Sequence, residues 1–238
     1  MNPDFMEPVS GLFVSTKWTP DKLKIFRIFS AIIMFPIFIW NSVFNYEIPP
    51  YLYLTSWGVY FTFLHFEMLL FHYMILGSTE SPSKRKLYIL MLFVSQIAFS
   101  LEIMINVIYW IFIFPFEEQT HTKAVYLLYT LCVHVISLIL ITTDNVVSSL
   151  KYQKKDVLAT VIVIILYGIL NFSYTKTKGE PVYSKIDWKD GVSIILGLLV
   201  LLMGIGSFFF AYWLSFRKIK NRAARHVTSQ VNILYFHS

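Results

Sequence analysis

Six stretches of this chain run for about twenty residues with almost no charge, a length that matches a membrane-crossing helix. They cover residues 28–46, 48–66 with an extension past Glu67 to 76, 87–114 interrupted by Glu102, 124–143, 157–175 and 191–216. Each is long enough, or nearly so, to cross a hydrocarbon layer of about 30 Å. Of the 238 residues 56% are apolar, 18% aromatic and only 14% charged, and the mean hydropathy of +0.61 is foreign to an ordinary soluble domain. The predicted fold is all-α, a polytopic transmembrane bundle of six helices forming a single membrane domain. With their flanks the spans fall at about 24–46, 50–76, 87–114, 123–144, 156–175 and 189–216, followed by a basic C-terminal tail at 217–238.

The basic residues set an orientation. Fifteen of the 20 Lys and Arg flank the spans on one side: Lys17, Lys22, Lys24 and Arg27, then Lys84 to Lys86, then Lys151, Lys154 and Lys155, then Arg217 to Arg225. Lys123, Lys176, Lys178, Lys185 and Lys189 fall on the other. Both termini are therefore expected on the cytosolic side. The opening MNPDFMEPVS has acidic Asp4 and Glu7 and no basic n-region before an apolar core, so it does not read as a cleavable signal or transit peptide. An endomembrane or the plasma membrane is the expected host rather than an organelle. One cysteine, Cys132, permits no intramolecular disulfide. Membrane lipids are the expected partners, nucleic acid is not, and the basic run after the last span reads as a topology signal.

Residues three, four or seven apart share one face of a helix. By that rule Thr55, Gly58, Thr62 and His65 line one side of the second span. Thr130, His134, Ser137 and Asp144 do so in the fourth, Ser95, Glu102 and Asn106 in the third, and Tyr167, Asn171 and Tyr174 in the fifth. Polar groups turned to lipid lack partners, so the four stripes are expected to converge inside the bundle. For Ser95, Ser100, Thr62 and Thr130 hydrogen bonding between or along helices is sufficient. Ser193, Gly197, Gly204 and Ala211 form a small-residue seam that close helix contact explains. Glu102, His134 and Asp144 are ionisable groups within or at the ends of spans, which makes each a functional candidate. His65 and His72 show no metal-ligand spacing, and neither a metal nor a cofactor is expected.

Soluble-hydrolase, P-loop and zinc-protease signatures are absent from the sequence. An enzyme built on this chain must take its nucleophile from a helix-borne hydroxyl, and Thr55 with His134 as base is such a pair. Counted from the span ends at 1.5 Å per residue, Thr55 lies about 7 Å and His134 about 16 Å inside the same face, a gap of about 9 Å for tilt to close.

The pieces YLTSWG at Tyr53 to Gly58, HVISLILITTD at His134 to Asp144 and VYSKIDW at Val182 to Trp188, with Trp18, Pro20 and Arg27 ahead of them, occur in one order along most of the chain. In this the sequence resembles the androgen-induced-protein and rolling-stone family of multi-pass membrane proteins. The resemblance implies a threonine hydrolase of lipid esters in which one fatty acid acylates the hydroxyl of another. Thr55 then corresponds to the nucleophile and His134 to the general base, with Gly58, Ser137, Asp144, Glu102 and Asn106 as candidates for supporting the site or lining the substrate pocket. Two other functions stay open: a non-catalytic structural or assembly subunit that binds partner membrane proteins through the same stripes, and a transporter, suggested by Glu102 and Asn106 inside the membrane.

Overall fold

The computed structural model describes residues 15, 17–43, 48–76, 82–116, 124–148, 150–183 and 186–236, and the side chains of all of these except 75–76, 82–85, 116 and 218–236. Among the described residues the chain is helical, apart from an isolated bridge between Ser15 and Ser148. Helix α1 spans Pro20–Val43. Pro20 opens it without losing a useful N–H, and the Thr19 hydroxyl accepts from the Lys22 amide at 3.4 Å. A 3-10 turn at Pro50–Leu52 leads into α2, Leu54–Phe71, which continues as a π-helical turn over His72–Leu76. Helix α3, Pro82–Ile108, also ends in a π-helical segment, Tyr109–Ile113, before Phe114–Phe116 closes it.

Helix α4, Ala124–Val147, holds a third π-helical segment at Leu131–Ile136. Gln153 and Asp156 form a reciprocal capping box ahead of α5, Val157–Lys178, and Gly179 ends that helix in the left-handed conformation, φ 76°. Helix α6 covers Gly191–Phe236, so the basic run after the last apolar stretch continues the same helix.

Among the described residues five segments are long and apolar enough to cross a membrane: Pro20–Val43, Lys86–Ile113, Ala124–Val147, Lys154–Lys178 and Gly191–Arg217. Five such helices are consistent with an integral, multi-pass membrane protein. Helix α2 is not among them, because Thr55, Ser56, Gly58, Thr62, His65 and Glu67 interrupt its apolar residues. The outward faces agree with a hydrocarbon surround: Ile25, Phe29 and Ile32 on α1, Leu166 and Ile169 on α5, and Ile195 and Leu202 on α6 are all exposed.

Helix α3 is the hub, with 72% of its apolar window buried against 22% for α5 and for α6. It packs against α2, α4, α5 and α6, while α1 lies against α2 and α4. One core joins Met34, Val59, Phe66, Phe99, Val133 and Ile141. A second joins Leu54, Leu101, Met104, Ile105, Ile164 and Tyr167. Two glycines permit close approaches. A Cβ on Gly58 would sit 2.6 Å from Ile105 Cδ1 and 3.1 Å from Glu102 Oε1, and one on Gly204 would sit 2.0 Å from Ile164 Cδ1.

Candidate functional site

The buried face of α1 carries Leu23, Arg27, Ser30, Ala31, Met34, Ile37 and Asn41, recurring every three or four residues. That register brings two polar residues inside. Its place before the first apolar stretch puts Arg27 among the cytosolic flanking charges; it is instead fully buried within the bundle. Its Nε and Nη2 donate to the two Asp144 oxygens at 2.5 and 3.1 Å, and Nη1 donates to the Tyr73 hydroxyl at 3.0 Å. His65 Nε2 lies 3.2 Å from the same carboxylate. Asp144 is thus committed to a charge cluster with α1 and α2.

Glu102 gathers a second group. Thr62 donates to its Oε1 at 3.2 Å and Asn106 Nδ2 reaches Oε2 at 3.4 Å, while Trp110 Nε1 donates to Asn106 Oδ1 at 3.2 Å. Gly58 fits against this carboxyl. Glu102, Asn106 and Gly58 are therefore brought together, as three residues of one hydrogen-bonded contact between α2 and α3.

His134 stands apart from both groups. It sits in the π-helical segment of α4, is 3% exposed, and lies flat on the Tyr109 ring with centroids 3.7 Å apart and planes at 14°. Tyr109 belongs to the π-helical segment of α3, and its hydroxyl is 3.4 Å from the Thr130 hydroxyl. His134 Nδ1 is buried, and no protein group among the described residues pairs with it. Ser137, next on this face, donates to Met34 Sδ at 3.7 Å.

Thr55 is the second residue of α2 and half-buried, and among the described residues no hydrogen bond reaches its hydroxyl. None joins it to His134. Its neighbourhood is fixed by aromatic residues of the α5 side: the Tyr183 hydroxyl accepts from the Leu54 amide at 2.9 Å, and the Tyr167 hydroxyl donates to the Leu52 carbonyl at 3.0 Å. Asn171 links Tyr167 to Trp188, whose indole donates to Asn171 Oδ1 at 2.8 Å.

Trp188 adopts φ 57°, a strained value for a bulky residue, and is held there by Lys176 donating to its carbonyl at 2.8 Å and its own amide donating to Ser193. Beside it, the Lys189 amide holds the Asp187 carboxylate below its ordinary pKa. The three polar faces drawn from the sequence for α2, α3 and α4 are all turned inward. An open crevice lined by Trp18, Lys22, Ile25, Phe26 and Phe29 lies along the start of α1 and shares no residue with these groups.

Sequence reasoning missed Arg27 as a buried residue, and missed Asn41 and Tyr129, which meet Ser56 between α1, α2 and α4. The α1 heptad-like recurrence was the available signal for Arg27 and Asn41. The fold of the described residues, helical and with polar side chains buried between the helices, is consistent with an integral, multi-pass membrane protein. No protein-family model, curated protein or solved structure matches the chain.

Proposed function

We propose that this protein is an integral membrane hydrolase of lipid esters, with Thr55 as nucleophile and His134 as general base, carried on six spans with both termini cytosolic. The observation that carries the reading is His134: an imidazole in the membrane-spanning part of α4, clamped on Tyr109, whose Nδ1 has no protein partner among the described residues. A histidine retained there only for structure is expected to spend both ring nitrogens on hydrogen bonds. Placement on a π-helical segment adds support, since such segments recur at functional sites.

In the proposed reaction the Thr55 hydroxyl oxygen adds to the ester carbonyl carbon while His134 takes the hydroxyl proton. Collapse expels the alcohol oxygen, which receives that proton, and leaves an acyl-threonine. Water, deprotonated by the same imidazole, then releases the fatty acid and restores Thr55. The chemistry requires Thr55 Oγ1 and a His134 nitrogen within about 2.6–3.2 Å in the substrate complex. The resemblance noted in the sequence points to esters in which one fatty acid acylates the hydroxyl of another.

Fluorophosphonate labelling of the protein in native membranes, compared among wild type, Thr55→Ala and His134→Ala, tests the reading. Wild type is expected to label and to hydrolyse a lipid ester, and both variants to lose the two signals. Undiminished labelling in either variant, or none in wild type, rejects it. A second reading, a non-catalytic assembly subunit, is favoured by the mutual satisfaction of the Arg27–Asp144–His65 and Glu102–Thr62–Asn106 groups. Under it Thr55→Ala leaves complex formation intact and no ester is cleaved by any form.

A further inference from the structure

A polar group between α1, α2 and α4 takes no part in the Thr55–His134 chemistry as described above. Asn41 is fully buried near the end of α1. Its side-chain carbonyl accepts two hydrogen bonds, from the Tyr129 hydroxyl at 2.8 Å and from the Ser56 hydroxyl at 3.3 Å. Its amide nitrogen is equally buried, yet no protein group among the described residues accepts from it. A buried N–H pair without an acceptor costs stability, and its retention asks for a reason.

The surroundings supply one. Ser56 adjoins Thr55 in the first turn of α2, so the amide lies against the helix end that bears the nucleophile. The Leu54 and Ser56 amides of that end are already bonded, to the Tyr183 hydroxyl and the Tyr53 carbonyl, so an oxyanion there needs a side-chain donor, and the helix dipole favours its negative charge. On the other side Tyr129 precedes Thr130, whose hydroxyl lies near that of Tyr109, the ring on which His134 stacks. A carboxamide pinned at its oxygen by two helices, with its N–H end left for an incoming oxygen, meets the requirement for a preorganised oxyanion donor.

We propose that Asn41 donates from Nδ2 to the carbonyl oxygen of the bound ester and stabilises the oxyanion formed when Thr55 attacks. This rests on the hydrolase reading and deepens it. As Thr55 Oγ1 bonds to the carbonyl carbon, the C=O π pair moves onto oxygen, and the Thr55 proton passes to His134. Reformation of C=O expels the alcohol, which takes that proton. Asn41 strengthens its hydrogen bond at the tetrahedral stage and neither gains nor loses a proton. Ser56 and Tyr129 are positioning residues that fix the amide plane.

The test uses the full chain in detergent micelles with a lipid ester as substrate and an alkylboronic acid as a tetrahedral mimic. Asn41→Leu is expected to lower kcat by about 10²–10³-fold, to leave KM within a few-fold, and to weaken boronate affinity far more than substrate affinity. Tyr129→Phe keeps the amide and loosens its hold, and is expected to lower kcat by a smaller factor. Wild-type kcat and boronate affinity in Asn41→Leu, with Thr55→Ala inactive, overturns the Asn41 role and leaves the hydrolase reading standing. Absence of ester cleavage and boronate binding in wild type overturns both. Should Asn41→Leu fail to fold, the structure of the wild-type boronate complex decides: a boronate oxygen within about 2.7–3.1 Å of Asn41 Nδ2 supports the role, and one beyond hydrogen-bond reach overturns it.

Discussion

The Asp144 carboxylate and the Arg27 guanidinium have no exposed side-chain surface, and they meet through two hydrogen bonds while His65 shares the carboxylate. Removing both charges from water is costly, and what offsets that cost is their mutual attraction together with the Tyr73 hydroxyl, which accepts from Arg27, and the His65 ring nitrogen beside the Asp144 carboxylate. Truncating one partner strands the other. Arg27→Met and Asp144→Leu are each expected to destabilise the protein by about 3–5 kcal/mol, whereas the double substitution replaces the pair by apolar volume and recovers most of the loss. Thermal unfolding of the detergent-solubilised protein reads this directly, and a double variant as unstable as the summed singles would rule out the coupling. The sequence marked Asp144 as ionisable and buried but placed Arg27 outside, because a positive residue near a span end reads first as a topology signal. Its position four residues after Leu23 and seven before Met34 on one helical stripe is the finer cue.

Helices α3, α5 and α6 meet where Gly204 leaves room for Ile164, and a methyl group there would lie 2.0 Å from Ile164 Cδ1 and 3.1 Å from Met104 Sδ. Gly204→Ala is therefore expected to cost about 1–3 kcal/mol despite the better helix propensity of alanine. Ile164→Val removes the opposing Cδ1 and is expected to restore part of that loss in the double variant, measured by the same unfolding transition. A rescue no larger than zero would show that the helices are free to move apart. The seam of small residues on α6 was legible from spacing alone, as were the inward faces of Thr62, His65, Glu102 and Asn171. The π-helical segments were not. The wider turn at Leu131–Ile136 leaves no mark in the spacing, although Ser137 and Asp144 beyond it are still buried with His134. Nor does periodicity reveal that Asn41, Ser56 and Tyr129 meet, since they belong to three helices and their contact depends on how those helices dock.

At the scale of the whole molecule, α2 decides the topology. Five segments have the length and apolarity to cross a membrane; if α2, with its polar inner face satisfied by α3 and α4, crosses as well, the number is even and both ends of the chain share one side. Burial of its polar residues argues for crossing, because Thr62 and His65 face Glu102 and Asp144 rather than lipid, leaving Leu64 and Phe71 outward. The single native cysteine makes this measurable. In a Cys132→Ser background, single cysteines placed near each terminus and at Lys151 are expected to react with a membrane-impermeant maleimide from the cytosolic face of sealed vesicles. One at Lys189 should react only from the opposite face. Labelling of the two termini from opposite faces would make the count odd and α2 a segment that enters and leaves on one side. Thr55 and His134 then no longer count from the same membrane face, and the ester-cleaving reading loses the geometry it needs. Labelling from one face keeps the N-terminal turn of α2 and the π-helical segment of α4 in the same leaflet, where a lipid ester would reach them.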